Sequence, residues 1–395
     1  MTQEDAVTEQ VADRHSPLHD EHVALGATMT PFAGWLMPLR YSSDIAEHTA
    51  VRTAAGLFDL SHMGEIAVLG ADAGAFLDHA LVGAISKIRH MGARYTMICQ
   101  PDGGVIDDLV VYHVGDDEFM IVANASNAAT VMTELEGRTS GFDVTLRDDS
   151  AGTALIAVQG PRAAEILRAT DGLAEDPAIS GGAAFGELKY YAAMRMRFRG
   201  EPVLVGRTGY TGEDGYEIWI EAHRATDLWR SLLAAGRPLG LVPAGLSARD
   251  SLRLEAGMPL YGNELDRSTT PYDAGLGRVV VLDKAGPDGE PRDFVGRAAL
   301  AERAAAPVQR ALVGLVGQSR RAARHGYPVL AGPDEGAAVI GTVTSGAPSP
   351  TLGYPVAMAY VSGEYADEGT VLAVDVRGRP EPVRVVALPF YRRPR

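Results

Sequence analysis

The sequence predicts an α+β protein of more than one domain, with mixed, largely antiparallel sheets, flanking helices and an all-β domain at the C-terminus. The chain has 395 residues, which exceeds the usual size of a domain with one hydrophobic core. Short segments rich in Val, Ile, Tyr and Thr do not alternate regularly with helical segments, as they would in a doubly wound parallel sheet. From about residue 308 the pattern contains only strands and turns, which is typical of a small barrel or jelly roll.

Capping residues mark the helices that precede this C-terminal region. Ser16 and Pro17 begin a helical segment that Gly26 ends. In a later helix, Ser247 with Asp250 three residues on resembles a capping box. Further helices are expected in the segments NAATVMTELEG, RAAEILRAT and HRATDLWRSLLAAG.

Strands are expected wherever β-branched and aromatic residues cluster between turn residues. Before residue 308 these segments are EIAVLG, DLVVYHV, EFMIVAN, FDVTLR, ALIAVQG, YEIWIEA and RVVVLDK. After it they are RALVGLVG, AAVIGTVTSG, PVAMAYV, TVLAVDV and EPVRVVALPF.

Changes in composition suggest where the folded regions begin and end. Residues 1–14 are acidic with no apolar stretch, so we expect a disordered tail and neither a secretory signal nor a transit peptide. Residues 15–285 form the main folded region. Residues 286–307 begin with a Gly, Pro and acid-rich stretch and are expected to form a junction. Residues 308–395 then form the antiparallel barrel domain.

Charge and cysteine content exclude several classes of protein. The net charge of −15 argues against the nucleic-acid backbone as a partner. No apolar run reaches the roughly 18 residues of a membrane-spanning helix, so no membrane association is expected. Cys99 is the only cysteine, which excludes an intrachain disulfide and favours a reducing, cytoplasmic location. His15, His19 and His22 have the spacing of metal ligands, but no second cluster completes them, and no metal site is expected.

The segment PDGGVIDDLVVYHV, residues 101–114, combines a tight turn with an apolar strand that begins with two acids. Side chains alternate along a strand, so Asp108 shares a face with Tyr112 while Asp107 lies on the other face. An acid buried in such a strand is costly without partners, which makes a functional role plausible. The alternative is that both acids lie at an exposed strand end.

The segment GRTGYTGEDGYEIWIEA, residues 206–222, has glycines three residues apart. The backbone there turns sharply or something approaches it closely. If YEIWI is a strand, Glu217 and Trp219 point the same way, and an acid beside an aromatic plane suits a flat heterocycle with N–H donors. The alternative is a plain hairpin with irregular turns.

The segment GLSARDSLRLEAGMPLYGNEL, residues 245–265, has two arginines four residues apart. On a helix, Arg249 and Arg253 share one face. An arginine there can bind a carboxylate or brace a contact between subunits. The alternative is an ordinary solvated face.

Together with FAGWLMPLRY, GLFDLSHMGEI and TSGAPSPTLG, these three segments closely resemble the T protein of the glycine cleavage system, the aminomethyltransferase family. The resemblance runs from about Ser16 to Tyr391 in the family's order and spacing. It implies three domains arranged as a cloverleaf around a folate-binding opening, with residues 15–285 forming two interleaved subdomains.

The resemblance also implies a reaction and two partner molecules. A lipoylated carrier, H protein, presents an aminomethyl group on a dihydrolipoyl sulfur. Tetrahydrofolate, as the acceptor substrate, takes the methylene and ammonia leaves. By position, the essential acid of the family falls on Asp108, which would stabilise an iminium-like methylene and help to remove a proton from nitrogen 10.

The other family positions give the expected folate contacts. Glu217 would accept hydrogen bonds from the pterin, Arg249 would be the polar anchor, and Asn124 would offer a donor and an acceptor. Aromatic and apolar walls would come from Met63, Tyr95, Tyr112 and Tyr210. Arg278 departs from the family pattern, because some members carry an aromatic residue there, and it is left unassigned.

Two other functions use related architectures. One is a tetrahydrofolate-dependent demethylase with an altered pocket, and the other is a folate-binding module without catalysis. Retention of Asp108 within GGVIDD argues against the second.

Overall fold

The computed structural model describes residues 14–180, 184–286, 289, 292–334 and 336–394. It has three open sheets, flanking helices and a closed six-stranded barrel, which confirms the predicted fold class.

The strands and helices are numbered separately in chain order. The strands are β1 (Arg14–His15), β2 (Thr28–Phe32), β3 (Trp35–Arg40), β4 (Ala55–Asp59), β5 (Gly64–Leu69), β6 (Ala93–Cys99), β7 (Val105–Gly115), β8 (Glu118–Ala123), β9 (Thr145–Asp148), β10 (Thr153–Gln159), β11 (Leu173–Glu175), β12 (Ala193–Phe198), β13 (Glu201–Gly206), β14 (Gly215–Glu221), β15 (Leu241–Pro243), β16 (Arg310–Gly317), β17 (Pro328–Leu330), β18 (Val339–Pro348), β19 (Pro355–Ser362), β20 (Val371–Asp375) and β21 (Pro380–Val386). The helices are α1 (His19–Ala24), α2 (Asp44–Thr53), α3 (Ala73–Ala80), α4 (Ala128–Glu136), α5 (Ala163–Ala169), α6 (Pro177–Ser180), α7 (Ala225–Gly236), α8 (Leu246–Glu255) and α9 (Arg297–Ala305).

A five-stranded antiparallel sheet has the order β6-β7-β8-β5-β9. Helices α3 and α4 cover one of its faces with buried residues such as Phe76, Leu77 and Leu135. The opposite face of β7 carries Tyr112, which belongs to a different buried cluster. The two faces of β7 therefore serve two different packing interfaces.

A seven-stranded sheet has the order β11-β12-β13-β14-β10-β4-β15, and only its β4–β15 pair is parallel. Helices α5 and α7 pack on it, and Trp229 of α7 is fully buried. Tyr112 of the five-stranded sheet meets Trp219 of β14 edge to face, with ring centroids 5.0 Å apart. The buried cluster around this pair also includes Val51 of α2 and Leu252 of α8. It joins the two sheets.

The barrel has the strand order β16-β19-β18-β17-β20-β21. Val356 and Met358 of β19 pack against Leu254 of α8. Helix α8 therefore lies between the barrel and the two large sheets.

Buried charges reinforce this contact between α2, α8 and the barrel. Arg52 of α2 forms ion pairs with Glu255 of α8 at 2.8 Å and with Glu213 at 2.9 Å. His48 Nε2 lies 3.1 Å from a Glu255 oxygen and 2.8 Å from the hydroxyl of Thr351 in a barrel loop. We call these five residues the interface network.

Several local expectations differ from the structure. RVVVLDK is not a strand, because its first residues lie in a 3-10 turn at Gly277–Val279 and Val281 donates a backbone hydrogen bond to Val82. Ser247 lies inside α8, and the residue before the helix is Gly245, whose N–H donates to Glu47 at 2.9 Å. The start of α8 is therefore held by a carboxylate on α2, whereas the sequence predicted a cap from Ser247.

The expected tail and junction also need correction. Residues 1–13 lie outside the described residues, whereas Arg14 begins β1, which pairs with β3. The segment 286–307 contains α9, and Leu300 on this helix is fully buried. That segment is therefore part of the packed structure, and it is more than a connection. The domain borders themselves stay a prediction.

Candidate functional site

A turn with two glycines precedes β7, the strand that carries the predicted catalytic acid Asp108. Gly103 has a φ of +89°, a backbone conformation that side chains disfavour. A Cβ on Gly104 would lie 2.1 Å from the carbonyl oxygen of Arg267. The two glycines therefore let the chain turn tightly beneath another backbone segment before it enters β7.

Asp108 lies at this site with two neutral hydrogen-bond donors. The Tyr95 hydroxyl donates to Oδ2 at 3.0 Å, and the Asn124 side-chain N–H donates to Oδ1 at 2.9 Å. Burial raises the pKa of Asp108, and these two donors oppose that rise. The carboxyl group is therefore easier to protonate than an exposed aspartate.

Asp107 is fully buried, which excludes an exposed strand end for this acid. It accepts hydrogen bonds from the Asn124 backbone N–H at 3.0 Å and from the Asn127 side chain at 2.8 Å. The Asn124 side-chain N–H groups reach both acids, since they also lie 2.9 Å from Asp107 Oδ1. The N–H donors of the Asn124 side chain are therefore engaged within the protein, and no hydrogen bond to its carbonyl oxygen is found among the described residues. Its role as a folate contact stays a prediction.

Glu217 lies at the end of a chain of hydroxyl groups. The Tyr112 hydroxyl is 2.7 Å from the Thr208 hydroxyl, and Thr208 donates a short hydrogen bond to Glu217 Oε2. Burial raises the pKa of Glu217, while Thr208 and the charge of Arg249 lower it. The predicted neighbour of Glu217, Trp219, is buried in the core, where its ring meets Tyr112.

Arg249 and Arg253 have different environments, although they are one helical turn apart. The Arg253 side chain is buried and forms an ion pair with Glu264 at 2.9 Å, so the solvated-face alternative is wrong for it. The Arg249 guanidinium lies 4.7 Å from the ring centroid of Tyr210. Among the residues that the structure describes, no hydrogen bond or ion pair to Arg249 is found. Burial lowers its pKa, and the nearby Glu217 opposes this.

Most of the predicted site residues thus fall into three groups, and contacts join the residues within each group. Tyr95, Asp108 and Asn124 form the first, and Tyr112 and Glu217 are joined through Thr208 in the second. Arg249 and Tyr210 form the third. Burial raises the pKa of Tyr210, the charges of Arg253 and Arg249 lower it, and the charge of Asp108 raises it. Met63 packs at the edge of the buried cluster that contains Tyr112.

Sequence reasoning missed several neighbours of the site. Asp107 is adjacent to a selected residue, but its role was hidden because its partners Asn124 and Asn127 come from a later segment. Thr208 lies inside the selected glycine-rich segment, but a single threonine has no sequence pattern that would mark it as a site residue. His62 is buried, and burial together with the charge of Arg249 lowers its pKa to about 4. Its imidazole is therefore neutral near pH 7.

The histidines with metal-like spacing do not converge. The rings of His15 and His19 stack at 3.9 Å, whereas His22 Nε2 lies 2.8 Å from a carboxylate oxygen of Asp59. Arg278, which the sequence left unassigned, is exposed.

In the part of the chain that the structure describes, no helix combines the length and apolar character needed to cross a bilayer.

Comparisons with known proteins agree with the fold and with the predicted motifs. Residues 18–284 match the family described as GCVT N-terminal domain, and residues 310–392 match the glycine cleavage T-protein C-terminal barrel domain. The aminomethyltransferase of Saccharopolyspora erythraea is 56% identical over 380 residues, which covers 96% of this chain and 98% of that relative. The aminomethyltransferase of Moorella thermoacetica is 47% identical over 382 residues, covering 97% and 99%.

A solved structure gives the same result. The crystal structure of glycine cleavage system aminomethyltransferase T from Bartonella henselae superposes with a TM-score of 0.85 at 36% identity, covering 96% of this chain and 98% of that one. The chain belongs to the aminomethyltransferase family and is a transferase of the glycine cleavage system.

Proposed function

We propose that the chain transfers the methylene of an aminomethyl group from the dihydrolipoyl arm of H protein to tetrahydrofolate, with release of ammonia. We assign the acceptor site to the region around Asp108, Glu217 and Arg249. The relatives named above are aminomethyltransferases, which favours this reaction over demethylation. A cytoplasmic location, inferred from the single cysteine, is part of the proposal.

One observation carries the assignment of this region. Asp108 and Glu217 have neutral hydroxyl and amide donors as hydrogen-bond partners, and nearby Arg249 has no ion-pair partner within the described residues. Groups that are only partly satisfied by the protein are available to a ligand. A flat heterocycle with N–H donors and carbonyl acceptors fits this set, because carboxylates accept and guanidinium donates.

The side chains would divide the binding work. Glu217 accepts N–H groups of the pterin, and Arg249 donates to its acceptor atoms. The rings of Tyr95, Tyr112 and Tyr210 supply flat apolar surface. Asn124, with both N–H groups turned towards carboxylates, offers its carbonyl oxygen.

Asp108 would perform the charge and proton work. Two new carbon–nitrogen bonds form at nitrogens 5 and 10 of the acceptor, while the bonds from the methylene to the amino nitrogen and to sulfur break. The two protons lost from nitrogens 5 and 10 end on the two leaving groups, ammonia and the carrier thiol. An ionised Asp108 stabilises positive charge at the methylene and receives the proton from nitrogen 10 before it is passed on. Because burial raises its pKa, Asp108 is a stronger base than an ordinary aspartate.

The test is an ammonia-release assay with purified protein, tetrahydrofolate and H protein carrying the aminomethyl group. We expect ammonia and methylenetetrahydrofolate in equal amounts, and loss of both products when either H protein or tetrahydrofolate is omitted. Ammonia release that does not depend on the carrier, or tetrahydrofolate that stays unconverted, would contradict the proposal.

A further inference from the structure

We propose that Thr208 is a positioning residue that fixes the carboxylate of Glu217 so that one of its oxygens faces the ligand. The inference deepens the proposed function and rests on it for the identity of the ligand. No comparison assigns a role to Thr208.

The hydroxyl chain has a defined direction. Thr208 is buried, and its single hydroxyl proton is donated to Glu217 Oε2. Its oxygen must therefore accept from the Tyr112 hydroxyl, which lies 2.7 Å away. The order is Tyr112 to Thr208 to Glu217, and each hydroxyl both donates and accepts.

This arrangement divides the two oxygens of Glu217. Oε2 accepts from Thr208, the Tyr112 hydroxyl also stabilises the charged carboxyl group, and no hydrogen bond to Oε1 itself is found among the described residues. Oε1 is not among the buried polar atoms that lack a partner, so it keeps some exposed surface. The proposal assigns Oε1 to the ligand and its direction to the hydrogen bond on Oε2.

The packing around Thr208 leaves little freedom for this chain. A Cβ on Gly206 would lie 3.2 Å from the Tyr112 hydroxyl oxygen, so that position needs glycine for Tyr112 to come so close. The Thr208 carbonyl accepts from the side chain of Gln159 at 3.1 Å, which holds the backbone of the loop. The loop places the Thr208 hydroxyl, and the hydroxyl in turn places Glu217.

The polar, charged and titratable groups near Glu217 come from four segments. They are Tyr112 on β7, Thr208 in the glycine-rich loop, Arg249 on α8, and Tyr190 and Tyr191 before β12. Burial raises the pKa of Glu217, whereas Thr208, Arg249 and Tyr112 lower it. Removing the Thr208 hydroxyl therefore raises this pKa further.

The decisive variants are Thr208→Val, which keeps the shape and removes the hydroxyl, and Thr208→Ser, which keeps the hydroxyl. We expect Thr208→Val to weaken tetrahydrofolate binding by about tenfold, the size of one hydrogen bond to a charged group. Binding by this variant also begins to fail at a higher pH than in the wild type, because Glu217 protonates earlier. Thr208→Ser restores both properties. Calorimetric titration across pH, without oxygen, measures them.

A matched control lies at the end of α5, outside the glycine-rich loop. Thr170 is also buried, and its hydroxyl donates to the carbonyl oxygen of Ile166 at 2.8 Å. Thr170→Val removes a buried hydroxyl whose hydrogen bond is local to α5, so we expect unchanged affinity and an unchanged pH profile.

A ligand-free readout separates the inference from the proposed function. The carboxyl carbon of Glu217, assigned by comparison with Glu217→Gln, is titrated by nuclear magnetic resonance, and its midpoint should rise in Thr208→Val. If that variant does not fold, Tyr112→Phe removes the preceding donor and should shift the midpoint in the same direction. An unchanged midpoint, or failure of Thr208→Ser to restore affinity, overturns the positioning role. A wild type that does not bind tetrahydrofolate overturns the proposed function, while the titration still decides the role of Thr208.

Discussion

Arg52 and Arg249 lie in two regions that surround an arginine side chain with different partners. In the interface network, Arg52 contacts two carboxylates, and its guanidinium also stacks 4.1 Å from the ring centroid of Tyr391 near the C-terminus. In the candidate site, Arg249 contacts a tyrosine ring, and no ion pair to it is found in the described part of the chain. An arginine is therefore paired with carboxylates in the interface network, whereas the arginine of the candidate site has no such partner among the described residues.

The acids show the same difference. Glu255 in the interface network accepts from Arg52, His48 and two barrel hydroxyls. Burial raises its pKa, but His48 and the two hydroxyls outweigh burial and lower the pKa to about 2. The pKa values of Asp108 and Glu217 are raised, because burial outweighs their neutral donors and, at Glu217, the charge of Arg249. Opposite charges that neutralise each other hold the barrel in place. Groups that the protein leaves partly unsatisfied keep atoms available for a ligand and for proton transfer.

The largest expected effect comes from breaking the interface network. Arg52→Leu leaves Glu213 and Glu255 buried without their cation, and loss of one partner of a buried pair costs about 3–5 kcal/mol of unfolding free energy. Chemical denaturation followed by tryptophan fluorescence measures it. Arg147→Leu is the control, since its pair with Asp149 is exposed and worth about 0–1 kcal/mol. Equal losses in the two variants would refute the structural role of the network.

The next effect is on turnover. Asp108→Asn removes the base, and we expect ammonia release to fall by about 10²–10³-fold, as when one transition-state contact is lost. The unfolding free energy should not decrease, because a carboxyl that resists ionisation is replaced by a neutral amide of the same shape. Asp117→Asn, in the exposed turn at the other end of the β7–β8 hairpin, is the control and should retain full activity. Wild-type turnover in Asp108→Asn would refute the catalytic assignment.

Arg249→Met tests whether the guanidinium of Arg249 serves ligand binding and not the stability of the fold. It should weaken tetrahydrofolate binding by roughly 10–100-fold, the equivalent of about 1.5–3 kcal/mol for a hydrogen bond to a charged group. In contrast to Arg52→Leu, it should not lower the unfolding free energy, since no hydrogen bond or ion pair to Arg249 from a described residue is broken. Arg230→Met, at an exposed pair with Glu21, controls for loss of a positive charge. A large loss of stability in Arg249→Met would mean that Arg249 belongs with the structural cations.

The two regions also differ in how far the sequence predicts them. Alternation along β7 places Asp108 and Tyr112 on one face, and the glycine-rich segment marks Glu217, because these are local patterns of period two and of turn chemistry. The bridge from Asn124 to Asp107 and the link from Tyr112 to Thr208 join residues far apart in the chain. The interface network joins Arg52 to Glu255, more than 200 positions away. Glu255 lies in the selected segment 245–265, but nothing in the sequence pairs it with Arg52. Local chemistry is readable from sequence, whereas long-range pairing is decided by packing.

Glu65 is a third case, a buried acid with neither a cation nor a ligand role assigned to it. Both of its carboxylate oxygens are buried, and neither has a hydrogen-bond partner in the described residues. Burial, with the charges of Asp148 and Asp149, raises its pKa well above the usual value. Since its pKa is higher in the folded than in the unfolded state, its contribution to stability is fully present below the unfolded pKa. That contribution is lost as the pH rises through the folded pKa.

Glu65→Met should therefore stabilise the protein at neutral pH by about 1–3 kcal/mol, the cost of an unsatisfied buried polar group. This gain should shrink as the pH falls towards the unfolded pKa of Glu65, below which both the folded and the unfolded state carry the proton. Denaturant unfolding at several pH values between about 4 and 8 measures the difference, and Asp148→Asn, which removes a repelling charge and leaves Glu65 in place, should give a smaller gain of the same sign. A Glu65→Met variant less stable than the wild type at neutral pH would contradict the claim that the unpaired, buried Glu65 destabilises the fold.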